Sequence, residues 1–155
     1  MRLRFLSTTF LLCLLTSCAE RQIDIMDKDG NVVGGCIAGY DWHLYGLQDS
    51  IDYMLYQCAK ESIAMGYSIT DNSLLKKDFS LPKPPEGQYW NKQLAMEHFK
   101  RGNISERKLG YILAEIEYKY RRTIMAAEEA LSSGEIGRDK FEQISLEAKT
   151  EWLGK

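Results

Sequence analysis

The chain has 155 residues, of which 45% are hydrophobic and 27% charged, and a formal net charge of −2 at neutral pH. That length is one domain's worth of core. Acidic and basic residues are interspersed, which describes a solvated surface and excludes a nucleic-acid-binding footprint.

Two arginines, Arg2 and Arg4, precede an apolar stretch from Phe5 to Leu15. It is too short to span a hydrocarbon core of about 30 Å and reads as a secretory signal. It ends in Leu15-Thr16-Ser17-Cys18, which resembles the lipobox of bacterial lipoproteins. The resemblance implies removal of residues 1–17, a diacylglyceryl group on the Cys18 thiol and acylation of the freed amine. Removing 17 of the 155 residues leaves 138, and loss of Arg2 and Arg4 takes the formal charge from −2 to −4. Each buried methylene contributes ~0.8 kcal/mol, so two or three acyl chains hold such a protein to a bilayer. Ala19, rather than Asp, follows the cysteine. By the same resemblance this places the protein in the outer membrane, facing the periplasm.

Of the four cysteines, Cys13 leaves with the signal and Cys18 is consumed by lipid, so Cys36 and Cys58 remain. An even remainder in an exported chain predicts a disulfide, with two buried free thiols as the alternative. A bridge closing about 23 residues stabilises by ~3 kcal/mol on the loop-entropy model.

The mature chain opens with a hairpin pattern. Residues Gln22 to Met26 alternate, Asp27-Lys28-Asp29-Gly30-Asn31 is turn chemistry, and Val32-Val33 resumes a strand. Gly34 and Gly35 predict a bulge or a close backbone approach before Cys36-Ile37-Ala38. In an EF-hand loop the glycine stands at position six and a Glu at position twelve. Here glycine comes fourth and Ala38 twelfth, so the segment reads as a turn and not a metal loop.

Leu47, Ile51, Met54, Leu55, Cys58, Ala59 and Ile63 share one helical face, with Asp49 or Ser50 as cap and Gly66 as stop. Such a helix covers the hairpin and carries Cys58 towards Cys36. Tyr67 to Thr70 adds a short third strand. Leu81 to Gly87 holds all three prolines and reads as a connector. The expected organisation is therefore a signal over 1–17, an α+β subdomain over 18–80, a Pro-rich connector over 81–88 and a helical region over 89–155. The fold class is α+β, a small disulfide-linked hairpin and helix followed by three helices. Those helices run from about Tyr89 to Lys100, Ser105 to Leu131 and Arg138 to Leu153. At 1.5 Å per residue the second measures ~40 Å, so part of its face must meet another chain or the α+β half.

The helical region repeats at an offset of 32 residues: Phe99, Gly102, Ile104, Leu109 and Ile112 align with Leu131, Gly134, Ile136, Phe141 and Ile144. In each copy the glycine supplies a left-handed C-cap and the isoleucine packs under the corner. The stretch from Leu131 to Gln143 resembles the short C-terminal motif called SHOCT, with its leucine, Gly-x-Ile turn and aromatic-led helix, although Lys140 stands where that family carries an acidic residue. The resemblance implies oligomerisation or docking, not catalysis.

Catalytic chemistry lacks a constellation. Tyr40, Trp42, His43 and Tyr45 make the densest aromatic cluster, at a strand-to-helix junction where a binding surface forms readily. Asp41 could orient His43, but no nucleophile or second carboxylate stands at a recognisable spacing. His98 has no His or Glu at i ± 4. Together these features predict a membrane-anchored periplasmic lipoprotein that is a non-enzymatic adaptor or assembly factor in an envelope complex, with no cofactor, no metal and no nucleic acid. Its partner is a protein or a second copy, and the binding candidates are Trp90, Trp152 and the Tyr40, Trp42, His43, Tyr45 cluster. The second reading is a binding module for a small molecule or cell-wall glycan, using Tyr40 to Tyr45.

Intact-mass spectrometry of the protein from a bacterial envelope checks the anchor. The expected species begins at Cys18 and carries acyl chains; an uncleaved or unacylated mass removes the lipobox reading.

Overall fold

The computed structural model describes residues 19–40 and 45–155, with Ala19 and Tyr40 by backbone alone. Cys18, Trp42 and His43, with the side chain of Tyr40, lie outside the described residues. The α+β fold forms, with a three-stranded antiparallel sheet and a helical C-terminal half.

Strands β1 (Ala19–Met26) and β2 (Val32–Tyr40) make the hairpin. Asp27 builds its turn: Oδ1 accepts from the backbone N–H groups of Asp29 and Asn31, both at 2.9 Å, and Oδ2 from the Asn31 amide at 3.2 Å. Those donors hold the Asp27 carboxyl below its ordinary range, the Asn31 backbone bond foremost. Ile25 pairs with Gly34 and Met26 with Val32, so the extra residue of the bulge is Val33, one position before the glycines that signalled it. A two-residue strand, β3 (Ser68–Ile69), pairs with the other side of β1 and gives the order β2-β1-β3.

Helix α1 (Leu47–Ala64) lies across the inner face of this sheet. Ile51, Leu55 and Ala59 meet Ile23, Cys36, Ala38 and Ile69 in one buried cluster. The bridge read from cysteine arithmetic is present: Cys36 and Cys58 are joined, with Cα atoms 5.8 Å apart and positions separated by 22 in sequence. Both ends of α1 rest on glycine. At its end Gly66 has φ 91° and the Tyr67 N–H donates to the Ser62 carbonyl at 3.1 Å, as the stop signal required.

The start of α1 differs from the expectation. The N-cap is Gly46, with φ 63° and no side-chain cap; Asp49 lies in the first turn. Ser50 is buried and its hydroxyl donates to the Gly110 carbonyl at 2.9 Å. The reason is tertiary: at Gly46 the chain touches another helix, so a residue without Cβ is needed there and not an exposed capping side chain.

That other helix is α3 (Glu106–Ser132), 27 residues capped by Ser105, whose Oγ accepts from the Lys108 N–H at 3.2 Å. Before it come a 3₁₀ turn (Leu74–Lys76), the connector and α2 (Lys92–Lys100); after it comes α4 (Arg138–Leu153). Helix α2 begins later than Tyr89 because Asn91 caps it, accepting from the Leu94 N–H at 2.8 Å. The two corners of the repeat share their bonds. Gly102 donates to Phe99 and Asn103 to His98, as Gly134 donates to Leu131 and Glu135 to Ala130, with both glycines at positive φ.

From Leu109 to Glu117 α3 is buried almost without interruption, since α1, α2 and α4 all pack on it. The face left over by its length therefore meets the α+β half. Tyr111 and Ala114 belong to the sheet cluster, while Leu109, Ile112, Leu113 and Ile116 form a second cluster with Ala95 of α2. The connector links the two, because Leu81 packs against both.

The crossing of α1 and α3 is a contact between glycines. A Cβ built on Gly110 would lie 2.6 Å from the Gly46 carbonyl oxygen, and one on Gly46 would lie 2.7 Å from the Glu106 carbonyl oxygen. Neither backbone atom can yield, so Gly110→Ala forces the helices apart and is expected to cost roughly 2–3 kcal/mol. Gly34→Ala, whose Cβ would meet only Ile25 Cδ1 at 3.8 Å, is the control and is expected to be neutral or mildly stabilising. Thermal and urea unfolding of the two variants measure the difference.

Candidate functional site

The connector, the middle of α3 and the C-terminal turns of α4 enclose an open groove of about 860 Å³. The sequence places each aromatic side chain there for a local reason. Trp90 precedes the Asn91 cap, and its indole Nε1 donates to the Pro82 carbonyl at 2.8 Å. Proline fixes the connector's backbone, so this bond holds an already stiff segment against α2. His98 meets Trp90 edge-on, with centroids 5.3 Å apart.

Tyr120 and Trp152 face each other because α3 and α4 run antiparallel from the Gly134 corner. Their rings stack with centroids 4.8 Å apart and an interplanar angle of 14°. The Lys92 ammonium lies 5.7 Å from the Trp152 ring centroid, within cation–π range. Tyr89 stands at the rim, 88% exposed. Ile112 and Ile116 line the floor.

Of the polar side chains that line the groove, Glu115, Lys119 and Asn91 are anchored within the chain. Glu115 accepts from the Tyr53 hydroxyl at 2.9 Å and from the Gln57 amide at 3.1 Å, and Lys119 pairs with it at 3.2 Å. Burial, and then the bond to Glu115, push the Tyr53 hydroxyl well above its ordinary value of 10.0. The groove's wall is thereby tied to α1. Gly154, at φ 81°, closes α4 against the Asn91 side chain so tightly that a Cβ there would lie 2.3 Å from Asn91 Oδ1. The α2 cap and the end of α4 thus fix each other.

Of the residues singled out in the sequence, the fold brings Trp90 and Trp152 to this groove, from positions 62 residues apart. Tyr45 is elsewhere, half exposed and 5.2 Å from the Phe99 ring at the end of α2. Sequence reasoning missed Tyr89 and Tyr120 as members of a site. A signal existed for Tyr89, which stands beside Trp90 at the end of the Pro-rich connector. Also missed was Glu117, 3% exposed on α3, which takes Arg121 Nε at 2.6 Å on one oxygen while the other has no hydrogen-bond partner among the described residues. Among the described residues no group of three or more His, Cys, Asp or Glu is arranged to hold a metal ion, and no described helix is long and apolar enough to cross a membrane.

The chain matches no protein-family model, no curated protein and no solved structure.

The Tyr53–Glu115 link gives a pH signature. Because the folded state raises the Tyr53 pKa, its stabilisation is complete below the unfolded value near 10.0 and is lost as pH rises beyond it. Tyr111 shifts the same way and Tyr118 is pushed up to about 12. Tyr53→Phe is expected to cost ~1 kcal/mol at neutral pH and to flatten, without abolishing, the fall in stability between pH 10 and 12. Urea unfolding across that range checks it.

Proposed function

We propose that this protein is a membrane-anchored lipoprotein of the outer membrane, facing the periplasm, that acts as a non-enzymatic adaptor or assembly factor in an envelope complex. The observation that supports the reading best is the groove itself, an open concave surface with Trp90, Trp152, Tyr120 and an almost fully exposed Tyr89 around it. Aromatic side chains supply the buried centres of protein interfaces because they offer large contact area with little conformational freedom to lose. Their mounting is firm: Trp90 is bonded to the connector and Trp152 is stacked on Tyr120. A prearranged surface lowers the ordering cost of association. The lipobox resemblance at Cys18 supports the anchor, and the Cys36–Cys58 bridge is consistent with an oxidising compartment.

A second reading is binding of a small molecule or cell-wall glycan. The volume of the groove, about 860 Å³, lies within the range of ligand clefts, which combine apolar and aromatic walls with a few placed polar groups. The groove adds Trp90 and Trp152 as candidates for this reading beside the Tyr40–Tyr45 cluster, most of which lies outside the described residues.

Crosslinking in intact cells followed by affinity capture distinguishes the two. For the adaptor, Trp90→Ala and Trp152→Ala are each expected to weaken recovery of a partner by about tenfold or more, the effect of an interface anchor worth ~2 kcal/mol. Recovery of every partner undiminished in both variants sinks it. A shift in tryptophan fluorescence on adding soluble muropeptides, absent from Trp90→Ala, supports the glycan reading instead.

A further inference from the structure

Strand β1 is hydrogen-bonded from its first residue: Ala19 pairs with Tyr40, Glu20 with Gly39 and Arg21 with Ala38. Arg21 is then locked to the body of the protein. Its Nη1 donates to Asp52 Oδ1 at 2.7 Å, Nη2 bonds Asp71, and Asp52 is itself buried on α1 and held by Lys77 at 2.5 Å. Two residues later Ile23 lies in the core. A chain gains at most ~3.3–3.6 Å per residue, so the Cα of Cys18 stands within ~11 Å of the Cα of Arg21.

We infer that the lipid anchor has no leash, and that the open end of the β1–β2 hairpin sits against the lipid headgroups with the hairpin tip directed away from them. The inference rests on acylation of Cys18. One peptide bond separates that residue from the sheet, so an inserted acyl group brings the Ala19–Arg21 and Gly39–Tyr40 backbones to the bilayer surface. The tip carries Asp27 and Asp29 against a single Lys28, and anionic headgroups repel it. Its distance along the strand allows this: eight residues at ~3.4 Å each put the tip ~27 Å from the open end, well beyond a Debye length of ~8–10 Å.

This arrangement restricts the partner. Gly46 follows Tyr40 by six residues, at most ~22 Å of chain, and touches Gly110 of α3. Gly110 stands two residues from the groove floor at Ile112, so the Trp90–Trp152 groove stays within about 40 Å of the bilayer. The partner that fits is a protein held at the same membrane surface, not one reached across the periplasm on a flexible tether.

The test uses the full acylated protein in vesicles of phosphatidylethanolamine and phosphatidylglycerol containing a minor fraction of headgroup-nitroxide lipid. Glu20→Cys and Lys28→Cys are exposed positions, and each provides the one free thiol of the mature chain, because Cys36 and Cys58 are bridged. A fluorophore on position 20 is expected to be quenched several-fold more than one on position 28. A Gly-Ser spacer of about 12 residues between Cys18 and Ala19, with an r.m.s. reach of ~20 Å, is expected to remove that difference. Equal quenching at the two positions without the spacer, or a difference that survives it, overturns the seating while leaving the anchor intact. An intact mass without acyl chains overturns the anchor and the seating together.

Discussion

The structure depends on one contact, the approach of α1 to α3 through Gly46 and Gly110. The backbones meet there with no side chain between them, and the buried Ser50 hydroxyl seals the crossing by donating to the Gly110 carbonyl. Around this point two clusters of apolar side chains share α3. One joins it to the sheet through Tyr111 and Ala114, and the other joins it to α2 through Leu109, Ile112 and Leu113. A methyl group at Gly110 would spread the helices by a distance that both clusters feel, because close-packed interiors do not absorb such a shift locally.

The sheet is held to α1 by chemistry of three kinds. The disulfide joins β2 to the helix, apolar packing fills the space between, and the ion pairs of Arg21 and Lys77 with Asp52 close one side. A buried carboxylate is costly unless its charge and lone pairs are met. Asp52 meets that condition, since Gln48 adds a further donor to the two cations. Glu117 does so only in part, with one oxygen left without a hydrogen-bond partner among the described residues. The difference follows from position: Asp52 faces a strand and a loop that bring cations to it, whereas Glu117 has the Arg121 of its own helix.

The groove is a by-product of the same geometry. Helix α4 returns along α3 from the Gly134 corner, and the proline-fixed connector crosses the start of α2, so the space between them is neither filled nor open to collapse. Trp90 and Trp152 both line it, each held by a partner inside the chain. A firmly mounted aromatic surface lowers the ordering cost of docking, and the proposed adaptor role rests on that arrangement.

Much of this was legible in the residues. The period of the apolar positions gave α1 and α3, Ser105 and Gly66 gave a start and a stop, and counting cysteines gave the bridge, because these signals act between near neighbours or by elimination. The 32-residue repeat likewise foretold two corners with the same hydrogen bonds. Tertiary structure alone decided the rest. No local pattern says that Gly46 caps α1 because Gly110 presses on it, or that Ser50 serves a crossing and not a cap. The meeting of Trp90 and Trp152 at one groove, and the absence of Tyr45 from it, depend on how α4 folds back along α3. Sequence determines which faces are apolar and where the chain turns, since both are properties of adjacent residues. Which faces then meet is set by the packing of the whole chain, where the smallest side chains mark the closest approaches and the unfilled spaces become sites.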